Sequence, residues 1–231
     1  MVTKDISIIY LETIATALGD LLPKVTFVGG STTVLLVDEV GRYGVRKTED
    51  VDVIIDVVSL VEYQRISERL RNLGFREDVN GPICRWLIDT DIGNLKLDVM
   101  PTDERILGFS NRWYRAAIDH AMDVSLSSGV IIQVVSPAYF LATKFEAFAG
   151  RGEGDFFSHD LEDIVFVMEN RSGLIDELSE CPHELQSYLS AQAQLLLCDD
   201  FLNVLPGLLN NPEAASKLEH ELRDMAGWSK A

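Results

Sequence analysis

The sequence predicts a mixed α+β fold, and three observations carry that prediction. A short apolar run ends in Gly-Gly-Ser at 29–31, and further runs rich in valine and isoleucine follow it. Such runs, bounded by turn residues, are typical of buried strands. From Pro137 onward the apolar residues recur at helical spacing instead. We therefore expect a mixed core over residues 1–135 and a helical part over residues 136–231.

The individual elements follow from apolar spacing and turn residues. Steps of three and four residues between Ile6 and Leu21 predict an amphipathic helix that ends before Pro23. Two more helices are predicted in the first part, at 32–40 and 60–73. The predicted strands are 25–28, 51–57, 83–88, 94–99, 122–126 and 130–135, the last four forming two hairpins. The helical part is expected to contain helices at 138–149, 158–169, 181–197 and 211–228, with turns at 170–173 and at Pro206-Gly207.

Charge excludes one broad class of function. The chain of 231 residues has 20 basic and 37 acidic side chains, a formal net charge of −17. A protein that coats nucleic acid needs an extended basic surface, which this composition does not supply. The acidity is concentrated after residue 149, where the sequence contains five basic and sixteen acidic residues. The acidic helices of that region are therefore the expected docking face for a basic partner.

Cysteine usage and hydropathy indicate where the protein works. Three widely spaced cysteines, Cys84, Cys181 and Cys198, form neither a disulfide framework nor a metal-binding spacing. The first 20 residues carry acids within their apolar stretch and no small-residue cleavage site, so we do not expect a signal peptide. No uninterrupted apolar run approaches the length of about 18 residues that a membrane span needs. We therefore expect a cytoplasmic protein without a membrane partner.

A glycine turn is the first feature with chemical content. The predicted strand 25–28 runs directly into Gly29-Gly30-Ser31. Glycines leave backbone N–H groups open to close approach, which is one way of holding phosphate, although glycines also make ordinary tight turns. Taken alone, the turn leaves both interpretations open.

Paired aspartates are the second feature. Asp50 and Asp52 lie two residues apart on a predicted strand, so both side chains belong to one face. With 20 aspartates in 231 residues, chance alone supplies about two such pairs, and Asp89/Asp91 is a second one in a predicted turn. Only the position of Asp50 and Asp52, at the start of an apolar strand downstream of the glycine turn, distinguishes them.

Asp98 adds a third carboxylate. It lies between apolar neighbours in the predicted strand 94–99, where a charge is costly to bury unless a cation or hydrogen bonds satisfy it. If Asp98 joins Asp50 and Asp52, mutual repulsion calls for metal ions. Two Mg²⁺ ions bridged by such carboxylates are able to bind a triphosphate and to promote in-line attack by a hydroxyl.

Together these residues resemble a known family. Gly29-Gly30-Ser31, Thr48-x-Asp50-x-Asp52 and Asp98 in an apolar strand are similar to the signature of the DNA polymerase β-like nucleotidyltransferase superfamily. The runs that resemble the narrower AbiEii-type nucleotidyltransferases are Arg46-x-Thr48-x-Asp50-Val-Asp52, Leu-Asp98-Val-Met-Pro101, Ser136-Pro-x-x-x-Leu-x-x-Lys144-x-x-Ala147 and Asp160-Leu-x-Asp163. Those enzymes are toxins of bacterial toxin–antitoxin and phage-abortive systems, related to the MenT group. The resemblance covers about residues 22–170.

The resemblance implies a polymerase β-like core with a mixed sheet, and it implies roles for individual residues. Asp50, Asp52 and Asp98 would be catalytic and would ligate Mg²⁺. The residues implied to contact the nucleotide are Gly29, Gly30, Ser31, Thr48, Lys144, Asp160 and Asp163. The family usually has a basic residue just before the later aspartate, whereas this chain has Ser158-His159.

Several alternatives stay open at the level of the sequence. Lys144 has an alternative interpretation as a surface lysine, and Asp160 with Asp163 has one as a solvated acidic helix face. Glu49 would point away from the paired aspartates if it lies on the strand. The implied activity is transfer of a nucleoside monophosphate from an NTP to RNA or protein, with a cognate antitoxin as partner. The alternatives are an antibiotic-type small-molecule adenylyltransferase and a non-catalytic nucleotide-binding module.

Overall fold

A computed structural model describes residues 5–152 and 154–228. The chain forms two compact units, the first made of Met1–Leu35 with Arg46–Ser136 and the second of Leu36–Val45 with Pro137–Ala231. Residues 36–45, which the sequence places in the first part, group with the second unit instead. Residues 1–4 of the N-terminal stretch lie outside the described residues.

One mixed sheet organises the first unit. Its strands are β1 (Val25–Val28), β2 (Asp50–Ile55), β3 (Arg76–Glu77), β4 (Arg85–Thr90), β5 (Gly93–Pro101), β6 (Met122–Ser125) and β7 (Ile131–Val134). Within the described residues they form a single seven-stranded sheet in the order β3-β4-β5-β2-β1-β7-β6. β2 runs parallel to β5, and β1 runs parallel to β7, whereas the other neighbours are antiparallel. The predicted mixed sheet and both predicted hairpins are confirmed.

Helices of the first unit pack against this sheet. The helices of the first unit are α1 (Ile6–Leu18), α2 (Thr33–Leu36, whose last residue groups with the second unit), α3 (Leu60–Asn72), α4 (Glu104–Leu107) and α5 (Tyr114–Asp119). The Arg71 guanidinium of α3 lies 5.7 Å from the ring centroid of Trp86, which is the register partner of Leu97. Leu97 and its neighbour Val51 on β2 are almost fully buried. This apolar face forms the core, because burying such side chains is the main driving force of folding.

Two predictions for the first unit need correction. The predicted helix 32–40 is wrong: a 3₁₀ turn at Gly30–Thr32 is followed by α2, which ends after four residues at Leu36. The β-branched run at 32–34 disfavours a long helix. The predicted helix toward Leu21 ends at Leu18, and a 3₁₀ segment, Gly19–Lys24, contains Pro23. Gly19 has a φ of +52°, which the right-handed helix does not accommodate.

The second unit is helical. Its α-helices are α6 (Pro137–Ala147), α7 (His159–Asn170), α8 (Leu174–Ser179), α9 (His183–Leu196), α10 (Asp199–Leu208) and α11 (Ala215–Gly227). A π-helical turn, Phe148–Gly152, follows α6, and the four helices predicted here are confirmed within a few residues. The turn predicted at Pro206-Gly207 is wrong, because both residues lie in the last turn of α10. Pro206 removes one backbone hydrogen bond there and is exposed.

The N-terminal helix meets a length and hydropathy criterion for membrane spans. Among the described residues, Ile6–Lys24 is a 19-residue helical stretch with a mean hydropathy of 1.4, and 33% of it is buried. Core helices of soluble proteins and signal sequences pass the same test, so this is weak evidence for a span. The fully buried side chains of this stretch are Leu11, Ile14, Ala15 and Leu18.

Candidate active site

The three predicted carboxylates share one face of the sheet. Asp52 on β2 and Asp98 on β5 are direct register partners in the parallel pair. Asp50 lies two residues before Asp52, so it belongs to the same face. Neighbouring strands lie about 4.8 Å apart, so the strand pairing alone brings these acids together. Asp98 is 7% exposed, and the carboxylate of Asp50 is more open to solvent.

The glycine turn lies directly beside these acids. Val28, the last residue of β1, is the register partner of Asp52. Gly29 follows with a φ of +74°, a backbone conformation that residues with a β-carbon rarely adopt. An added β-carbon would lie 2.8 Å from Cγ of Asp52 and closer still to its Oδ2. The backbone of the turn and the carboxylate of Asp52 are therefore in direct contact, which requires glycine at position 29.

Two buried hydroxyl groups accompany the turn. Ser31, in the 3₁₀ turn after Gly29, is 1% exposed, and Thr48, just before β2, is 7% exposed. Neither hydroxyl oxygen has a hydrogen-bond partner among the described residues. Buried polar groups are normally paired, so each unpaired hydroxyl is free to contact a ligand. Both residues were predicted from the sequence to contact nucleotide.

Arg85 completes this site by pairing with two of the acids. It lies on β4 as the register partner of Asp98. Its Nε donates to Oδ1 of Asp98 at 2.8 Å, and its Nη2 donates both to Oδ2 of Asp98 at 2.7 Å and to Oδ2 of Asp50 at 2.8 Å. Hydrogen bonding to Asp98 raises the pKa of Arg85. The guanidinium thus partly neutralises two of the three carboxylates.

Register explains why the pairing of Arg85 with Asp98 was not predicted. The sequence predicted strands ending at Ile88 and starting again at Asn94, which pairs residue 84 with residue 98. In the structure, Thr90 pairs with Gly93, so Arg85 lies opposite Asp98. A shift of one residue moves every side chain to the other face of a sheet. The length of the turn between β4 and β5 sets this register, and the sequence pattern did not define that length to a single residue.

The chemistry of the acids fits a divalent cation, and a protein cation already lies among them. Carboxylate oxygens are the ligands that Mg²⁺ prefers. Among the described residues no group of three or more Asp, Glu, His or Cys side chains is placed to hold a metal ion. The Nη2 atom of Arg85 lies between Asp98 and Asp50 and bonds to both. The face therefore accepts positive charge, and in this conformation a guanidinium supplies it.

Two neighbouring residues complete the electrostatics of this face. Glu49 lies in the bend before β2 and not on the strand, and its carboxylate accepts from Nζ of Lys96 at 2.8 Å. That bond lowers the pKa of Glu49. Cys84, beside Arg85, is buried, and burial together with the charge of Asp98 raises the pKa of its thiol to about 12. The thiol therefore stays protonated at neutral pH.

The second unit brings Lys144, Asp160 and Asp163 together. Nζ of Lys144 on α6 lies 3.0 Å from Oδ1 of Asp160 and 2.7 Å from Oδ2 of Asp163, both on α7. All three residues are at least 92% buried. The surface-lysine and solvated-acid interpretations of the sequence are therefore wrong. Arg151, which the sequence did not single out, donates Nε to Oδ2 of Asp160 at 2.7 Å.

Opposing effects set the protonation of this buried cluster. Burial alone would lower the pKa of Lys144, but the charges of Asp163 and Asp160 outweigh it and raise that pKa. Burial alone would raise the pKa of Asp160, but hydrogen bonding to Arg151 and the charge of Lys144 lower it instead. The lysine and this carboxylate are therefore both charged at neutral pH.

The fold is similar to that of a solved nucleotidyltransferase-like protein. The structure is similar to the crystal structure of an antigenic nucleotidyltransferase-like protein from Paracoccidioides brasiliensis, with a TM-score of 0.54 and 18% sequence identity. The similarity covers 86% of this chain and 91% of that one. At this identity the likeness concerns the fold, and it confirms the predicted α+β class. No family model matches the sequence, and no curated protein matches it.

Proposed function

We propose that the protein is a Mg²⁺-dependent nucleotidyltransferase that transfers a nucleoside monophosphate from an NTP to an acceptor. One observation carries the proposal: Asp50, Asp52 and Asp98 share a face of the sheet that directly adjoins the turn at Gly29. Three carboxylates beside an open backbone turn would repel a bound polyphosphate unless cations lie between them. Few functions other than metal-dependent chemistry on a polyphosphate need this arrangement. The nucleotidyltransferase-like fold supports the same assignment.

Each group has a proposed role. Asp50, Asp52 and Asp98 would hold two Mg²⁺ ions, which when bound would neutralise the triphosphate charge and orient its phosphates. The open backbone at Gly29 and Gly30 would admit the phosphates closely. The unpaired hydroxyl groups of Ser31 and Thr48 would donate hydrogen bonds to phosphate oxygens.

The transfer itself is a displacement at the α-phosphorus. The acceptor hydroxyl oxygen forms a bond to that phosphorus, and the bond from the α-phosphorus to the β-phosphate oxygen breaks. Pyrophosphate leaves with the electron pair of that bond. We assign the hydroxyl proton to the carboxylate of Asp98, the most deeply buried of the three acids, as general base.

Roles for the buried cluster of the second unit form part of the proposal. Lys144 would contact the triphosphate, and Asp160 and Asp163 would position it. Since both aspartates already bond to this lysine, a phosphate would have to share Nζ with them. An amine held by two fixed carboxylates keeps its charge and its position, which suits a phosphate contact.

The acceptor and partner remain those implied by the AbiEii-type resemblance. We propose RNA or protein as acceptor, a toxin role in the cytoplasm and a cognate antitoxin as partner. The chain is strongly acidic, so an RNA acceptor would have to be bound locally and not through an extended basic surface. A basic antitoxin surface would complement the acidic residues after residue 149.

The decisive experiment uses each of the four labelled NTPs with Mg²⁺ and a cell extract. We expect label to appear on RNA or protein with the wild-type chain, and Asp98→Asn to lower that transfer by about 100-fold or more. Asp50→Asn should also abolish it. Asp91→Asn, in the exposed turn between β4 and β5, is the matched control and should transfer normally. Full activity in both site variants would refute the assignment, and label only on small molecules would favour an antibiotic-type transferase.

A non-catalytic nucleotide-binding module is the second candidate. It is favoured by the Arg85 guanidinium, which already occupies the space between Asp98 and Asp50. Calorimetric titration with NTPs, combined with product analysis, separates the two. Binding without any labelled product would support the module, whereas release of pyrophosphate together with labelled acceptor would support the transferase.

A further inference from the structure

We propose that Arg85 is a cation gate: its guanidinium excludes free divalent metal from the carboxylates, so that metal enters only together with the nucleotide. This inference rests on the proposed function, because it assumes that Asp50 and Asp98 bind metal at all. It adds a positioning residue to the proposed site, and it makes the order of metal and nucleotide binding testable.

Geometry makes the guanidinium and a bridging ion mutually exclusive. A single nitrogen, Nη2 of Arg85, lies 2.7 Å from an oxygen of Asp98 and 2.8 Å from an oxygen of Asp50. Mg²⁺ binds carboxylate oxygens at about 2.0–2.1 Å. An ion bound between these two oxygens would compete with Nη2 for both of them, so we infer that the guanidinium has to leave first.

The contact is strong enough to compete with a hydrated ion. Arg85 holds Asp98 with two parallel N–H···O bonds, the bidentate arrangement that makes arginine–carboxylate pairs strong. The side chain of Arg85 is 18% exposed and that of Asp98 is 10% exposed, so water screens the pair only weakly. Free Mg²⁺ also loses its water shell reluctantly. Metal that arrives with a triphosphate brings the phosphate oxygens as further ligands, and this favours the metal over Arg85 in the competition for the carboxylates.

The surroundings provide room for the arginine to move. Arg85 lines a cavity of about 690 Å³ in the first unit, between α3 and the chain around Gly81. Two side chains flank Gly81. Cδ of Arg85 would lie 3.1 Å from a β-carbon added to that glycine, and Cγ of Asp78 would lie 2.9 Å from it. The cavity wall also includes Glu68. A displaced guanidinium therefore has space in this cavity, beside the acidic side chains of Asp78 and Glu68.

The test measures binding of Mn²⁺ to the full chain by calorimetry, with and without a non-hydrolysable NTP analogue. Arg85→Met removes the guanidinium and keeps an unbranched apolar stem. Arg76→Met, on the neighbouring strand β3, removes one positive charge from an exposed pair with Asp89 and is the matched control. We expect Arg85→Met to bind Mn²⁺ without nucleotide at least about tenfold more tightly than wild type, the factor that one charge-assisted hydrogen bond represents. Arg76→Met should match wild type.

Thermal unfolding provides a second readout. In Arg85→Met the added Mn²⁺ should raise the melting temperature more than in wild type, because a ligand stabilises the state it binds in proportion to its affinity. If Arg85→Met does not fold, Arg85→Lys with Arg76→Lys as control takes its place. A lysine keeps the charge but lacks the bidentate fork, so tighter Mn²⁺ binding is again expected.

The outcomes separate the inference from the proposed function. Equal Mn²⁺ affinity in wild type, Arg85→Met and Arg76→Met would overturn the gate and leave the metal-dependent transferase standing. Tighter binding in both Met variants would also overturn it, because a general charge effect would then suffice. Absence of Mn²⁺ binding in every variant, with or without the analogue, would overturn the proposed metal site and the gate with it.

Discussion

An added β-carbon on Gly29 would lie 2.8 Å from Cγ of Asp52, well inside van der Waals contact. The glycine at this turn is thus required twice, once by its φ of +74° and once by the carboxylate packed against it. A substitution here changes the position of Asp52 as well as the backbone of the turn. The contact links the predicted phosphate-binding turn to the predicted metal ligands.

Gly29→Ala is expected to abolish nucleotide transfer. The positive φ alone should cost about 1–3 kcal/mol of unfolding free energy, and the clash should displace Asp52. Gly74→Ala is the matched control, because Gly74 has a φ of +92° with no atom within 4 Å of an added β-carbon. Urea denaturation and the labelled-NTP assay measure the two effects. Normal transfer by Gly29→Ala would show that the position of Asp52 is unimportant.

The sequence predicted the part of the site that depends on strand pairing. Once β2 and β5 were recognised as buried apolar strands, Asp50, Asp52 and Asp98 had only a few ways to be arranged, and the structure places them on one face. Positions within a strand follow from a period of two, which a short sequence pattern defines well. The sequence pattern does not define the exact register of β4 and β5, so it could not predict the contact of Arg85 with Asp98.

Short helices and buried charge were the other limits of sequence reasoning. α4, α5 and α8 have six residues or fewer, too few for helical periodicity to appear. Lys144 lies on α6, which buries residues on nearly all sides, so no polar stripe marked the lysine as buried. Its partners are on α7, and their pairing depends on tertiary packing. The predicted spacing of Asp160 and Asp163 on one helix face was nevertheless the arrangement that lets both reach Nζ.

Lys144→Met is expected to destabilise the protein strongly. Removing the amine leaves Asp160 and Asp163 buried without their shared cation, and breaking a buried pair typically costs about 3–5 kcal/mol. Arg151→Met, whose side chain is 74% exposed, should cost about 1 kcal/mol or less. Urea denaturation at neutral pH compares the two.

A double variant checks the origin of that loss. Adding Asp163→Asn to Lys144→Met removes one of the uncompensated charges and should recover part of the lost unfolding free energy. If the double variant is less stable than Lys144→Met by the full cost of Asp163→Asn alone, the residues do not interact as the distances indicate.

The same cluster predicts how stability depends on pH. The pKa of Asp160 is lowered in the folded state from its ordinary value of 3.8, so the unfolded chain takes up a proton there first as the pH falls. The contribution of Asp160 is therefore fully present above about pH 4 and is lost as the pH falls through the lower folded-state pKa. The unfolding free energy of wild type should exceed that of Asp160→Asn at pH 6, and the difference should shrink below pH 4. A difference that is constant from pH 6 to pH 3 would contradict the assigned direction of the shift.

Lys144 predicts how stability changes at high pH. Its pKa is raised in the folded state from 10.5, so its contribution is complete below that value and is lost as the pH rises through the higher folded-state pKa. Wild type should therefore lose stability relative to Lys144→Met only above about pH 10. Denaturation curves at pH 8, 9 and 10.5 test this, and a loss already evident between pH 8 and pH 9 would show that the carboxylates do not hold the ammonium form.

Cys84 reports whether the strand that carries Arg85 opens. Its thiol is buried and has a pKa of about 12, so almost no thiolate exists at pH 8, whereas Cys198 is exposed. Because the thiolate is the reactive form, a thiol reagent should modify Cys198 at once and Cys84 only at the rate of opening. Arg85→Met removes the bonds that tie β4 to Asp98 and Asp50, and it should therefore speed modification of Cys84 while leaving Cys198 unchanged. Mass spectrometry of the two peptides over time distinguishes the sites. Modification of Cys84 in wild type as fast as that of Cys198 would mean that β4 is open in solution.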